Sequence, residues 1–407
     1  MAIREGAAAP PVEGRGALDG LRVLDMSRVM AGPMAGQVLA DLGADVIKIE
    51  RPGRGDDTRE WAPPFVAEPP GSPLDESVYF WTCNRGKRSV VADIATAEGQ
   101  ALVRRLAAAS DVLIENYRVG TLARYGLDYG TLSAANPRLV YCSITGFGQT
   151  GPYRLRPGYD TIVQGMGGLM SITGDPEGGP RKSGVAVADL LTALHADVAV
   201  LAALRERERS GLGQHLDLSL LDVQVWALTN IGLGHLATGR VPRRAGNRLA
   251  TVYPSDGFRC ADGELMVIVG NDGQFRRFCA ALGLDGVAED PRFARNAARL
   301  RHAEALAPLI AQALGRRTVA ECQALLDAAG VPAGPINDLD QVFADPQVRA
   351  RGMVREVARP GGGTARVIAY PVRMSRTPPR GDRPPPRLGE HTEEVVEEVS
   401  RARGPGG

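Results

Sequence analysis

From Leu21 onward, short apolar runs that suit buried strands alternate with helical stretches, and this alternation restricts the fold more than any other feature of the chain. LRVLDM (21–26) gives way to the loop SRVMAG, Pro33 opens a helical stretch through Leu42, and ADVIKIE (44–50) supplies the next run. Two strands around a short helix form a βαβ unit, which requires a parallel sheet. SVVADI (89–94), a helix at AEGQALVRRLAAAS, DVLIEN (111–116), helical turns to Asn136 and RLVYCSIT (138–145) carry the rhythm on. The expected fold is α/β with a doubly wound parallel sheet.

The pattern then changes. Residues 186–209 and 216–238 read as two long helices separated by the turn SGLGQ, and 244–270 reads as two strands joined at Asp262-Gly263. Helical patterns fill 272–283, 297–314 and 318–329, and the punctuation GVPAGP (330–335) marks a boundary. A chain of 407 residues exceeds what one core usually supports. The expected division is a large domain over 17–224, a smaller inserted α+β domain over 225–330, and a return segment over 331–407 that completes the first. In that segment RVIAYPVRM reads as a short strand and TPPRGDRPPP (377–386) as an irregular surface strap.

Charge excludes some partners. Lys plus Arg is 48 and Asp plus Glu is 47, which leaves no electrostatic footprint for nucleic acid or anionic lipid. An anionic ligand must therefore be held by a local group of basic residues. Five widely spaced cysteines suit reduced core thiols better than a disulfide framework or zinc site. The five histidines show no HExxH grouping, so no metal is expected. No apolar run reaches the ~18 residues of a membrane span, and MAIREGAAAPPVEGRG reads as a leader without a signal-peptide core. A cytoplasmic protein with neither nucleic acid nor membrane as partner is the expectation.

Gly146-Phe147-Gly148-Gln149-Thr150-Gly151 matches the dinucleotide pattern GxGxxG after a strand. That pattern needs a helix to follow, whereas Pro152 and Pro157-Gly158 break one, so a tight glycine turn at the sheet edge is the better reading. Arg28, Arg51, Arg54, Lys87, Arg88 and Arg124 sit beyond strands or at loop ends. Each alone is a solvated charge; Arg28 and Arg51 together, with the helix opening at Pro33, suit a phosphate-bearing ligand such as coenzyme A. In GVAVADLLTAL (184–194) a single acid, Asp189, interrupts an apolar run. It reads either as a first-turn acid favoured by the helix dipole or as a half-buried carboxylate nucleophile. With a reference pKa of about 3.9, even a two-unit rise leaves it ionised at pH 7. Glycines at 165–168 and 174–179 offer amides that could approach an oxyanion.

Seven segments in order, among them LDMSRVMAGPMAGQVLADLGADVIKIERPGRGD, CNRGKRSVVADI, LIENYRVGTLARYGL, SITGFGQTGPY and GVAVADLLTAL, resemble the family III CoA-transferases (the CaiB/BaiF group) from Leu18 to His391. The resemblance implies a Rossmann-like large domain with an inserted small one, in a homodimer whose two chains interlock. It implies CoA transfer from an acyl-CoA to a carboxylic acid, with coenzyme A as substrate and no tightly bound cofactor. It makes Asp189 the catalytic residue, passing through an acyl anhydride and an aspartyl-CoA thioester. The alternatives are a 2-methylacyl-CoA epimerase and a non-catalytic acyl-CoA-binding protein.

The resemblance also assigns CoA contacts to Arg28, Val29, Met30 and Ala31 in the loop after the first strand, and to Arg51, Ala92, Asn116, Tyr117 and Arg124. Met30 and Thr145 depart from the glutamine and lysine of the formyl-CoA branch, which sets formyl-CoA and oxalate aside. Tyr159 of Gly158-Tyr159-Asp160 stands where the racemases carry a histidine, and a phenol with pKa about 10 is a poor base at neutral pH. His391 reads as a structural or rim residue.

Overall fold

The computed structural model describes residues 16–66, 76–359 and 363–401. The leader, apart from Gly16, and the last six residues of the return segment lie outside these. Contacts divide the chain into a larger unit (1–169, 183–233 and 347–407) and a smaller one (170–182 and 234–346).

The larger unit is built on six parallel strands: β1 (Arg22–Asp25), β2 (Asp45–Glu50), β3 (Arg88–Val91), β4 (Val112–Glu115), β5 (Val140–Thr145) and β6 (His215–Ser219). Their order is β3-β2-β1-β4-β5-β6, with Val23 level with Val46 on one side and Val112 on the other. The strands are continuous apolar runs because both faces are covered. One layer packs Val23, Val46 and Ile114 against the first helix (Ala31–Asp41) and the long helix (Val187–Ser210). The other packs Leu24, Ile47 and Leu113 with Val103 and Leu106 of the helix Ala97–Ala108.

The doubly wound sheet expected from the alternation is present, with three differences. The first helix starts at Ala31, so Pro33 is its third residue, still within the turn whose N–H groups have no intrahelical acceptor. Residues 215–219 are not helical: HLDLS alternates exposed and partly buried positions, and its backbone pairs with β5 along Tyr141–Thr145 as the sheet's edge. The helical stretch that follows is broken into Leu220–Trp226 and Thr229–Thr238, with Thr229 at φ 48°. Finally, the long helix is long and apolar enough to cross a membrane by length and composition, with mean hydropathy 1.8 over its best window. Asp189 and Asp197 interrupt that run without lowering its average much, and half of the window is buried inside the structure.

The smaller unit has its own three-stranded antiparallel sheet, β7 (Ser255–Arg259), β8 (Glu264–Ile268) and β9 (Ala333–Pro335), with β7 and β8 joined at Asp262-Gly263 as expected. Helices Asp272–Leu282, Ala303–Gly315 and Val319–Ala328 supply a separate core around Phe275, Phe278, Leu306 and Leu326. The unit extends past the boundary expected at 330, because Ala333 and Pro335 pair with Val267 and Leu265 and so complete this sheet. It also begins at 234 rather than 225 and takes in 170–182. The return segment rejoins the larger unit. The hairpin β10 (Val354–Ala358) and β11 (Thr364–Ile368) buries Val357 and Ala365 against Phe80 and Trp81. The helix Thr392–Arg401 buries Val395 and Val399 and ion-pairs Arg88 through Glu394 and Glu398. His391 holds the β3 edge, its ring Nδ1 accepting from Ser89 N at 3.3 Å. Residues 377–386 form neither helix nor strand. All five cysteines are buried free thiols.

Asp197 is 5% exposed among Ala193, Ala196 and Val200, and neither of its carboxylate oxygens meets a hydrogen-bond partner among the described residues. Burial holds its pKa well above the usual value. The folded chain thus keeps a proton that the unfolded chain releases above about pH 4, and stability falls as pH rises from there toward the folded pKa. Asp197→Asn should remove that slope and, at pH 8, raise unfolding free energy by about 1–3 kcal/mol. Urea titrations at pH 5 and pH 8 check this; identical slopes in the two proteins would contradict it.

Candidate active site

In this strand order the connections from β1 and β4 leave in opposite directions, which opens a crevice at the C-terminal edge between them. A cavity of about 220 Å³ occupies that edge. One wall is the loop after β1, residues 28–31, and another is the loop after β4, residues 116–119. Gly146, Thr145, the segment 154–159, Leu220 and Asp189 close the remainder.

Buried charge fixes the first wall. Asp25 and Lys87, both fully buried, ion-pair at 2.7 Å, and Lys48 and Asp56, also fully buried, pair at 2.9 Å. Lys48 donates to Ser27 O at 2.9 Å and Lys87 to Pro33 O at 2.8 Å, so the two ammonium groups hold both ends of the loop. Asp56 accepts from Val29 N at 3.3 Å. Burial alone would push the Asp56 carboxyl up, but Lys48 and the Thr58 hydrogen bonds outweigh it and bring the pKa to about 2. Asn116 adds a reciprocal clasp, donating to Arg28 O at 2.6 Å and accepting from Arg28 N at 2.9 Å. Within this frame Val29 sits at φ 71°, which a β-branched residue adopts only when its surroundings impose it. The loop leads into the first helix, whose N-terminus has no side-chain cap and no acid in its first turn. Such an end offers N–H groups to an anion.

Asp189 lines the same cavity from the first turn of the long helix. The N-cap position, Ala186, has no capping side chain. Asp160 does that work from a distance in sequence: its Oδ1 accepts from Ala188 N at 2.8 Å and Asp189 N at 3.3 Å. Its Oδ2 accepts from Gln164 at 2.6 Å, and Gln164 in turn accepts from Ser183 N at 2.9 Å. Asp160 therefore takes the helix N-terminal donors, leaving the Asp189 carboxyl 9% exposed beside a like charge and with no hydrogen bond among the described residues. Burial first, and Asp160 second, raise its pKa to about 7. This exceeds the two-unit rise allowed from the sequence: at neutral pH the group is near half-ionised, and its anion is weakly solvated and correspondingly reactive.

Of the residues singled out from the sequence, Arg28, Val29, Met30, Ala31, Asn116, Tyr117 and Asp189 meet in this one cavity. Three do not line it. Arg51 ion-pairs Asp57, which also binds Arg28 at 3.0 Å. Ala92 is 6% exposed in the core beneath the sheet edge, and Arg124 is exposed with its guanidinium over Tyr125. The GxGxxG segment forms turns, with Gly148 and Gly151 at positive φ and the next helix delayed to Asp160–Met166. A Cβ on Gly146 would lie 2.6 Å from the Gly158 Cα, so these glycines let two cavity-lining strands of backbone meet. Glycines 165–168 do not line the cavity, and 174–179 belong to the smaller unit. Sequence reasoning missed the capping role of Asp160 and the cationic side chains Arg118, Arg154 and Arg156.

Residues 18–392 match the profile of CoA-transferase family III. The chain is 50% identical to the succinate–glutarate CoA-transferase of Agrobacterium fabrum, covering 94% of this chain and 95% of that protein. It is 41% identical to the succinyl-CoA:glutarate CoA-transferase of Mus musculus, covering 94% and 86%. Among solved structures it is similar to a CAIB/BAIF family protein from Brucella suis, with a TM-score of 0.85 and 46% identity over 95% of this chain and 100% of that one.

The site geometry sets a titration. In carbon-13 NMR of labelled protein, the Asp189 carboxyl should titrate near pH 7, and Asp160→Asn, which keeps the capping oxygen but removes the charge, should lower it, with burial still holding it above the ordinary range near 4. An Asp189 resonance titrating near 4 in the parent would contradict this account.

Proposed function

The chain belongs to CoA-transferase family III and moves CoA between acyl-CoA and acids, and from that premise we propose that Asp189 carries the exchange between short dicarboxylic partners of the succinate and glutarate kind. The observation that carries this reading is that Asp189 is the single acid among the residues lining a cavity whose other wall is the loop after β1.

The ionised Asp189 oxygen attacks the thioester carbonyl of the donor. The C–S bond breaks, CoA leaves as thiolate, and a mixed anhydride joins Asp189 to the acyl group. The thiolate attacks the aspartyl carbonyl of that anhydride, which releases the donor acid as its carboxylate and leaves an aspartyl-CoA thioester. An acceptor carboxylate then attacks this thioester, expelling thiolate and forming a second anhydride. Thiolate attack on the acceptor's acyl carbon yields the new acyl-CoA and returns Asp189 as a carboxylate. No proton need be taken from substrate carbon, so the tyrosine at 159 is no obstacle.

The pinned loop 28–31, the open helix N-terminus behind it and Asn116 with Tyr117 are the residues that would bind the CoA end. Leu190, Leu194, Val198 and Leu201 recur at helical spacing on the long helix and are all exposed, with Val198 at 67%. This stripe, with exposed Trp226, supports a homodimer as the working form. The five buried thiols suit a reducing, cytoplasmic compartment.

Asp189→Ala should abolish transfer from succinyl-CoA to glutarate, by about a thousandfold or more, without lowering the unfolding midpoint. Asn116→Ala removes two hydrogen bonds from the loop and should raise KM for acyl-CoA about tenfold, with kcat little changed. Steady-state kinetics and thermal melts read both. Undiminished transfer by the Asp189→Ala protein would reject the mechanism.

A further inference from the structure

Four arginines line the cavity, Arg28, Arg118, Arg154 and Arg156, against one acid. They are not equivalent. Arg28 is ion-paired to Asp57 at 3.0 Å and lies over Tyr117. It belongs with Asn116, Tyr117 and Arg118 on the side formed by the loops after β1 and β4. Arg154 and Arg156 come from the segment between the glycine turn and Asp160, the residue that caps Asp189's helix. They line the cavity together with Gly146, Gly158 and Tyr159, on the stretch of chain that leads into Asp160.

Neither of these two side chains has an ion pair among the described residues, and both are exposed. The Arg156 guanidinium lies 4.1 Å over the Tyr153 ring. Stacking engages the face of the guanidinium and leaves its in-plane N–H groups free, the edge that matches a carboxylate bidentately. Cations without an ion pair that line the same cavity as the single acid suit a second anionic group on a substrate whose reacting carbon lies at Asp189.

We infer that Arg154 and Arg156 bind the distal carboxylate of a dicarboxylic acyl group or acceptor, and so select dicarboxylic over monocarboxylic partners. The inference rests on the CoA-transferase reading above and goes beyond it by naming the residues that set the substrate class. A monocarboxylate such as butyrate, which is glutarate with one carboxylate replaced by hydrogen, leaves the arginines without a partner, and a site built for a polar group discriminates strongly against an analogue that lacks it.

The test uses the full-length enzyme with Arg154→Gln, Arg156→Gln and both together. Transfer from succinyl-CoA is measured to glutarate and to butyrate, and CoA binding is measured by calorimetry. The double variant should raise KM for glutarate on the order of ten- to a hundredfold and collapse the glutarate-over-butyrate ratio of kcat/KM, with Kd for CoA within about twofold of the parent. A Kd for CoA that weakens in step with KM would instead assign the arginines to CoA phosphates and overturn the inference. An unchanged glutarate-over-butyrate ratio would overturn it as well. If the parent enzyme transfers CoA to neither acid, the proposed choice of short dicarboxylic partners fails, and the inference falls with it by a separate observation.

Discussion

Two buried ion pairs set the shape of the site. Asp25–Lys87 and Lys48–Asp56 lie fully out of water beneath the loop that follows β1. Burying four charges is costly unless each is paired and its remaining donors and acceptors are used, and loss of one partner strands the other at about 3–5 kcal/mol. Here the spare donors are spent on the loop itself, at Ser27 O and Pro33 O, and Asp56 takes the N–H of Val29. The same interactions that make the charges tolerable hold Val29 in a left-handed conformation and present the N-terminus of the first helix to the crevice. Under the proposed function, rigidity at this point would keep a long, flexible CoA in register with Asp189 on another element.

Across the cavity the electrostatics run the other way. Asp160 occupies the donors at the start of the long helix, so the helix does not stabilise Asp189's charge through its own amides. A carboxylate that is dry, next to another acid and without hydrogen bonds is a stronger nucleophile than a solvated one, and the penalty is a pKa of about 7. In the proposed function, the anchored loop would serve binding and the destabilised acid the chemistry. The two are connected through the sheet's C-terminal edge rather than through each other.

The sequence made the parallel sheet legible because buried strands such as LRVLD and VLIE are uninterrupted apolar runs that nothing else in their surroundings imitates. β6 was misread for the opposite reason: HLDLS is a half-exposed edge strand of five residues leading directly into helix, and its period of two is too short to stand out. The small unit's boundary was placed early because its last strand, Ala333–Pro335, is written in glycine and proline. Asp189 stood out as the single acid in an apolar run, and motif resemblance gave it a catalytic role and supplied the Asn116–Tyr117 pair. Asp160's capping contact spans 28 residues of chain, and the charges of Arg154 and Arg156 lie in a segment that reads as turn, so neither leaves a local signature. Arg51, Ala92 and Arg124, carried over by the same resemblance, lie outside the lining of this cavity.

The central claim is that Asp189 itself becomes acylated, and oxygen isotope transfer tests it most directly. Turnover of succinyl-CoA with glutarate labelled with 18O in its carboxylates should leave one acceptor oxygen on Asp189 when the second anhydride is opened. Mass spectrometry of the peptide carrying Asp189 should then show the 18O–16O mass difference on that side chain. Product formation with an unlabelled Asp189 would mean that CoA passes between the acids without it.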